Sequence, residues 1–267
     1  MKRVLITGAA GRIGTVLRIR LRDEFRLRLT DIHSIQDLQT DEDFIRLDLA
    51  DVDGLEAAMQ GIDTVVHLGG IPDESEFAHI LQVNIAGTYN VFEAARKARV
   101  KRIIFASSIH AVGFYPRSET IDSSVMPRPD TLYGVSKAFG ENLARLYFDK
   151  HCVESVCIRI CSFEERPQDL RHLSTWLSHD DAVQLFRRCI LAESVGFSIL
   201  YGVSDNERSW FVNPDAERLG YKPRDNAEAF ASEITRNHLT NATDDPVEEL
   251  LMGGPFVARE YGQRYRS

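Results

Sequence analysis

The sequence predicts an α/β protein built on a doubly wound parallel sheet, and three observations carry that expectation. Short apolar runs of strand character alternate with longer stretches of helical periodicity over the first 160 residues or so. The first run ends in a glycine turn, Gly8-Ala9-Ala10-Gly11-Arg12-Ile13-Gly14, which opens a helical pattern. The second run ends in an acidic residue, Asp31.

Residues 2–7 read as a short buried strand, and Ile13, Leu17 and Leu21 mark one face of the helix that follows. Residues 26–31, with Leu27 and Leu29 alternating, give a second strand and residues 44–48 a third. Residues 52–60 read as a helix stopped by Gly61. Residues 63–68 give a fourth strand around Val65 and Val66. A long helical pattern then covers residues 76–99 through Leu81, Ile85, Thr88, Phe92 and Ala95. Residues 101–107 form a fifth strand, and a loop with Pro116, Pro127 and Pro129 leads to a helix over 132–150. Residues 155–160 form a sixth strand. Beyond Ser162 the pattern weakens to a helix over 180–192, a strand over 197–201 and a short helix over 214–219. There is no clear linker, so the expectation is a single domain over 1–267. Residues 1–160 would be mainly a dinucleotide-binding core. Residues 161–267 would be mainly a substrate-side cap over the carboxyl ends of the strands, where ligands bind in such sheets.

The 267 residues carry 32 Lys and Arg against 40 Asp and Glu, a formal net charge of −8, and are 43% hydrophobic. This is globular composition and excludes disordered and low-complexity classes. The negative balance argues against a nucleic-acid or membrane-surface partner. No run approaches the roughly 20 apolar residues that span a bilayer. The first apolar run, Val4-Leu5-Ile6, stops at Gly8, so no signal peptide is read and a cytoplasmic location is expected. Cys152, Cys157, Cys161 and Cys189 contain no Cys-x-x-Cys pair, so reduced, mostly buried thiols and no metal site are expected.

Two motifs carry chemistry. Gly8, Gly11 and Gly14 let the backbone turn tightly and approach a pyrophosphate, while the helix N-terminus offers unpaired N–H groups and a positive dipole end. Asp31, 17 residues after Gly14, is placed to accept the adenosine ribose hydroxyls and to repel a 2′-phosphate, which selects NAD over NADP. Arg12 would tolerate such a phosphate and argues the other way. Asp48-Leu49, after the third strand, is placed for the adenine edge or for an ordinary turn. The second motif is Tyr133-Gly134-Val135-Ser136-Lys137. Its Tyr and Lys lie one helical turn apart, so the ammonium favours a phenolate and fits Tyr133 to act as a base. Ser107-Ser108 closes the fifth strand, where a hydroxyl would bond the reacting oxygen or merely satisfy backbone.

Together with Asn84-Ile85-Ala86-Gly87-Thr88, these residues resemble the extended short-chain dehydrogenases/reductases. The resemblance implies a catalytic set of Ser108, Tyr133 and Lys137. It also implies a cofactor surface that includes Ile13, Leu68, Gly69, Gly70, Ile160 and Asn84, the last being matched to a residue that supports the lysine. A narrower resemblance rests on four stretches. They are His67-Leu68-Gly69-Gly70-Ile71, Ser107-Ser108-Ile109-His110, Tyr133 to Leu143, and Leu173-Ser174-Thr175-Trp176-Leu177-Ser178-His179-Asp180-Asp181. These are similar to the uronate dehydrogenases and to related NAD-dependent sugar C1 dehydrogenases. Arg171 then occupies the position of an arginine that holds the substrate carboxylate, a task suited to its bidentate guanidinium. His110 and Ser162 are candidate ring-hydroxyl contacts, with packing in the site wall an equal alternative for His110. Ile109 and Pro72 stand where that family carries Asn and Ser on the substrate side, so the preferred sugar is expected to be affected.

The resulting expectation is an NAD-dependent oxidation of C1 of a free sugar, a hexuronate in the first instance, to a lactone by a homo-oligomer, dimeric or larger. A neutral-aldose dehydrogenase of the same fold is the near alternative. A nucleotide-sugar epimerase or dehydratase is a further one, although Ile109 and His110 stand where dehydratases carry an acidic pair. A non-catalytic dinucleotide sensor is disfavoured because Tyr133 and Lys137 are both present.

Overall fold

The computed structural model describes residues 1–40, 42–241 and 246–259. Its strands are β1 (Arg3–Thr7), β2 (Arg26–Asp31), β3 (Asp43–Arg46), β4 (Thr64–His67), β5 (Arg102–Ser108), β6 (Glu154–Ile160), β7 (Ser162–Phe163), β8 (Trp176–Leu177) and β9 (Phe197–Gly202). Seven of them form one sheet in the order β3-β2-β1-β4-β5-β6-β9, and β7 pairs with β8. The β1–β2, β1–β4, β2–β3 and β4–β5 pairs are parallel. The order reverses between β1 and β4, the switch point at which such sheets bind ligands. This is the doubly wound α/β architecture expected, with β9 as a seventh strand added to the six read as sheet. Among the described residues no helix is long and apolar enough to cross a membrane.

The chain folds as two compact units, each assembled from three stretches. β5, β6, β9 and the helix Leu132–His151 each begin in one unit and end in the other.

The first unit comprises Met1–Ala106, Phe139–Cys157 and Cys189–Ile199. Its core packs Leu5, Leu55, Met59, Val65, Phe92, Ala95, Ile103, Phe105 and Tyr147. Helix Arg12–Leu21 follows the glycine turn, and Val52–Ala58 starts at Asp51, whose side chain accepts from Gly54 N. The pattern over 76–99 is one continuous helical run of three parts: Phe77–His79, a π-helical segment Ile80–Ala86, and Gly87–Lys97. The hydrogen bond from Gly87 N to Gln82 O shows the five-residue step. Periodicity alone does not reveal this. Arg102, 2% exposed, pairs with Glu154 at 2.7 Å and donates to the carbonyls of Cys189 and Ala192. Cys157 and Cys189 are buried as expected, but Cys152 is exposed, in the left-handed turn (φ +55°) that ends a helix.

The second unit comprises Ser107–Ala138, Ile158–Arg188 and the chain from Leu200 onward. It contains the 3₁₀ turn Ile109–Val112, the β7–β8 pair, and short helices at His172–Thr175, Pro214–Arg218, Ala227–Phe230, Pro246–Leu250 and Pro255–Ala258. One cluster gathers Ile109, Val112, Ile121, Tyr201, Val203, Phe211 and Met252. Another gathers Leu173, Trp176, Ala227, Ala231 and Ile234.

Candidate active site

The glycine turn has no room for side chains. Gly8 has φ +70°, and a Cβ there would stand 2.7 Å from Gly69 N; a Cβ at Gly14 would stand 2.4 Å from Gly8 O. Gly11 N donates to Gly8 O at 3.1 Å, and Gly11 caps the helix without offering a side-chain acceptor. The first-turn amides of Arg12, Ile13 and Gly14 are therefore presented at a positive helix end that suits a pyrophosphate. Asp31 is 9% exposed at the end of β2, with Oδ2 accepting from Ala10 N at 2.9 Å and Oδ1 from His33 N at 2.8 Å. Two amides thus fix the carboxylate, and its remaining lone pairs fit ribose hydroxyls. Asp48 is exposed and closes a turn, accepting from Ala50 N at 2.9 Å, while the Leu49 carbonyl accepts from Asn90.

After β4, Thr7 Oγ1 accepts from Gly69 N at 3.1 Å. Gly70 has φ +153°, and a Cβ there would stand 3.1 Å from Asn84 Oδ1. Asn84 clasps the backbone of Ile71 from both sides, Oδ1 accepting from Ile71 N at 2.8 Å and Nδ2 donating to Ile71 O at 3.0 Å. Its visible work is to hold the Leu68-Gly69-Gly70 turn. Pro72 is exposed just beyond that turn.

The second unit brings the expected catalytic residues together. Ser108 ends β5, and its Oγ accepts from His110 N at 3.2 Å, which leaves the hydroxyl hydrogen to donate elsewhere. His110 Nδ1 lies 2.7 Å from Asp130 Oδ2, and its ring stacks on Phe256 with centroids 3.9 Å apart. Thr131 then begins the helix Leu132–His151, its Oγ1 accepting from Gly134 N at 3.0 Å. Gly134 lets this helix start against the turn before it, since a Cβ there would stand 2.3 Å from His110 O. Tyr133 is 8% exposed, with its ring centroid 5.9 Å from that of His110. Lys137 is buried, with Nζ 5.4 Å from the centre of the Tyr133 ring, and burial lowers its pKa to about 8. Ile109 is 2% exposed and packs within the apolar cluster of Tyr201, Val203 and Met252, not in a polar setting. Ile160 is buried at the end of β6.

Arg171 and Ser162, chosen separately from the sequence, meet in the structure. Arg171 Nη1 donates to Ser162 Oγ at 3.1 Å, and Nε donates to Met252 O at 2.8 Å. Nη2 is buried without a hydrogen-bond partner among the described residues. A buried guanidinium nitrogen left unpaired is costly and points to an anion that completes it. Burial lowers the Arg171 pKa, against the opposing pull of the nearby Asp169 and Asp130. The sequence reading missed Asp130, Phe256 and the glycines that flank them. A Cβ at Gly113 would stand 1.8 Å, and one at Gly253 2.0 Å, from Asp130 Oδ2. Asp130, three residues before Tyr133, was the one legible signal.

A doubly wound sheet with a glycine turn at its first crossover defines a dinucleotide-binding protein. Residues 4–180 match the NAD dependent epimerase/dehydratase family, and the chain belongs to that family. It is 47% identical over 262 residues to a uronate dehydrogenase of Agrobacterium fabrum, covering 96% of this chain and 97% of the relative. Its fold superposes with a TM-score of 0.91 on a mutant uronate dehydrogenase from Agrobacterium tumefaciens complexed with NAD, at 46% identity and 97% coverage of each chain. The glucuronic acid dehydrogenase of Chromohalobacter salexigens also gives 0.91, at 41% identity, covering 96% of this chain and 97% of that one.

Proposed function

We propose that the protein is an NAD-dependent dehydrogenase that oxidises C1 of a free hexuronate to a lactone. The observation that carries the substrate reading is Arg171, whose buried Nη2 has no partner among the described residues beside an Nη1 anchored on Ser162. A C6 carboxylate supplies the missing acceptor in a charge-assisted bond.

Tyr133 takes the proton of the anomeric hydroxyl, and Ser108 donates its hydroxyl hydrogen to the same oxygen. Lys137 favours the phenolate; with its pKa near 8 it is charged at neutral pH. Bound NAD supplies the hydride acceptor for C1. Gly8, Gly11 and Gly14 hold its pyrophosphate and Asp31 its adenosine ribose, with Arg12, Ile13, Asp48, Leu49, Leu68, Gly69, Gly70 and Ile160 lining its path. Asn84 supports the Gly69-Gly70 turn. His110 and Ser162 hold ring hydroxyls, and Ile109 and Pro72 leave fewer polar contacts to the sugar.

The reading includes a cytoplasmic homo-oligomer. Its support is a set of exposed apolar side chains, Phe77, Leu81 and Tyr89 on one helical run and Leu132, Val135 and Leu146 on another.

The test follows NADH absorbance with glucuronate, galacturonate and the matching neutral aldoses, for wild type and Arg171→Ala. Losing a charge-assisted bond costs about 1.5–3 kcal/mol, so kcat/KM for uronates should fall roughly 10–150-fold, with a much smaller change for the aldoses. Equal losses on both sugar classes overturn the carboxylate role.

A further inference from the structure

Backbone, rather than an acid, aims the Arg171 guanidinium. Its Nε donates to Met252 O, and Met252 lies in a stretch that runs antiparallel to residues 113–117. The backbone bonds of that pairing are Gly253 N to Gly113 O, Met252 N to Tyr115 O and Arg117 N to Leu250 O, each 2.9 Å. Arg117 closes the same stretch with its side chain. Its Nε donates to Leu251 O at 3.0 Å and its Nη2 to the Glu248 carbonyl, while its guanidinium lies over the Trp210 ring at 5.2 Å. Gly254 follows at φ +61°. A Cβ there would stand 2.7 Å from Arg171 Cδ, 3.0 Å from Arg171 Nε and 3.6 Å from Arg117 Nη2. Two guanidiniums are thus packed against one glycine, and among the described residues neither forms an ion pair with a carboxylate.

We propose that Arg117 is a positioning residue for anion recognition: by clamping the carbonyls of 248–251 it fixes the Met252 carbonyl, which in turn holds the Arg171 fork with Nη2 presented to the substrate carboxylate. The inference rests on the carboxylate role proposed for Arg171. A neutral donor would satisfy the Glu248 and Leu251 carbonyls at lower electrostatic cost. A second cation is instead placed where burial and the Arg171 charge push its pKa down to about 10, so it stays charged at neutral pH and adds to the field on an incoming anion. Gly254 is the matching spatial device, because only a residue without Cβ leaves the Arg171 stem where it is.

The experiment compares Arg117→Met, Arg117→Lys and Gly254→Ala with wild type, using glucuronate and glucose. Circular dichroism and NAD affinity verify the fold of each variant. The expected result for Arg117→Met and Gly254→Ala is a KM for glucuronate raised about 10-fold or more with little change in kcat. The kcat/KM for glucose should stay within about 3-fold of wild type. Arg117→Lys should recover part of the loss, keeping the charge without the fork. If Arg117→Met does not fold, Gly254→Ala still tests the aim of Arg171 with the clamp intact. Folded variants that keep the glucuronate KM, or lose both sugars equally, overturn the proposal. The two readings fail separately. If Arg171→Ala abolishes the preference for acid while Arg117→Met and Gly254→Ala retain it, only the positioning role falls. If Arg171→Ala leaves the preference intact, the carboxylate reading falls with it.

Discussion

Asp130 Oδ2 lies 2.7 Å from His110 Nδ1, in a space that side chains at Gly113 and Gly253 would have to share. The His110 backbone N–H meanwhile donates to Ser108 Oγ, so a displaced carboxylate disturbs the turn that holds the serine. Gly113→Ala places a Cβ 1.8 Å from Oδ2 and must push Asp130 away. The expected outcome is a stability loss of about 1–3 kcal/mol. With it should come a fall in kcat/KM for the sugar at unchanged NAD affinity. Urea denaturation, steady-state kinetics and NAD titration check the three parts.

Removal of the Tyr133 hydroxyl tests the base directly. Tyr133→Phe keeps the ring that faces His110 and should lower turnover by about 10²–10⁴-fold while NAD still binds. Single-turnover kinetics with pre-bound NAD measure this, and near-normal turnover would remove Tyr133 from the role.

Lys137 carries a prediction about pH and stability. Its pKa drops from an ordinary 10.5 to about 8 because it is buried. Below pH 8 the charged ammonium is buried in the folded chain and hydrated in the unfolded one, so folding bears the full cost. Between about 8 and 10.5 the unfolded chain holds the proton that the folded chain has released, so stability contributed by this group rises with pH. The gap is worth about 3 kcal/mol. Lys137→Met should therefore stabilise the cofactor-free protein at pH 7, by up to about that amount, and much less at pH 10, while abolishing turnover. Urea midpoints at the two pH values decide it.

Cofactor choice is the fourth prediction. Asp31 is held by the Ala10 and His33 amides in an orientation that leaves a fixed negative charge at the end of β2. Wild type should show the higher kcat/KM with NAD, and Asp31→Ser should narrow the ratio to NADP by removing the repulsion. A wild-type preference for NADP would instead assign Arg12 to a 2′-phosphate.

Local signals account for what the sequence made legible. The strands up to β6 are short apolar runs bounded by turn residues, and the glycine turn and the Tyr133–Lys137 pair are each set by spacing within one element. The role of Arg171 is legible only through the family resemblance, and its bond to Ser162, nine positions earlier, is not legible, because a loop and not a periodic element brings the two together. Beyond residue 220 the helix Ala231–Asn241 is not read although it is 11 residues long, and the two helices after it are short. Pro246–Leu250 and Pro255–Ala258 are too brief for periodicity to show, and each is defined by what it packs on. Asp130 escaped for a related reason: its partners, His110, Gly113 and Gly253, span 143 positions of sequence.

The π-helical segment Ile80–Ala86 has a consequence for how this chain can change. A helix turns about 100° per residue, so one residue removed upstream of Asn84 would rotate its amide away from the Ile71 backbone it now grips. The shortened helix would have better internal geometry, and the loop bearing Gly69 and Gly70 would lose its latch. Length variation in this stretch is therefore costlier than point substitution: an exposed polar residue such as Gln82 can be replaced, but the number of residues cannot change.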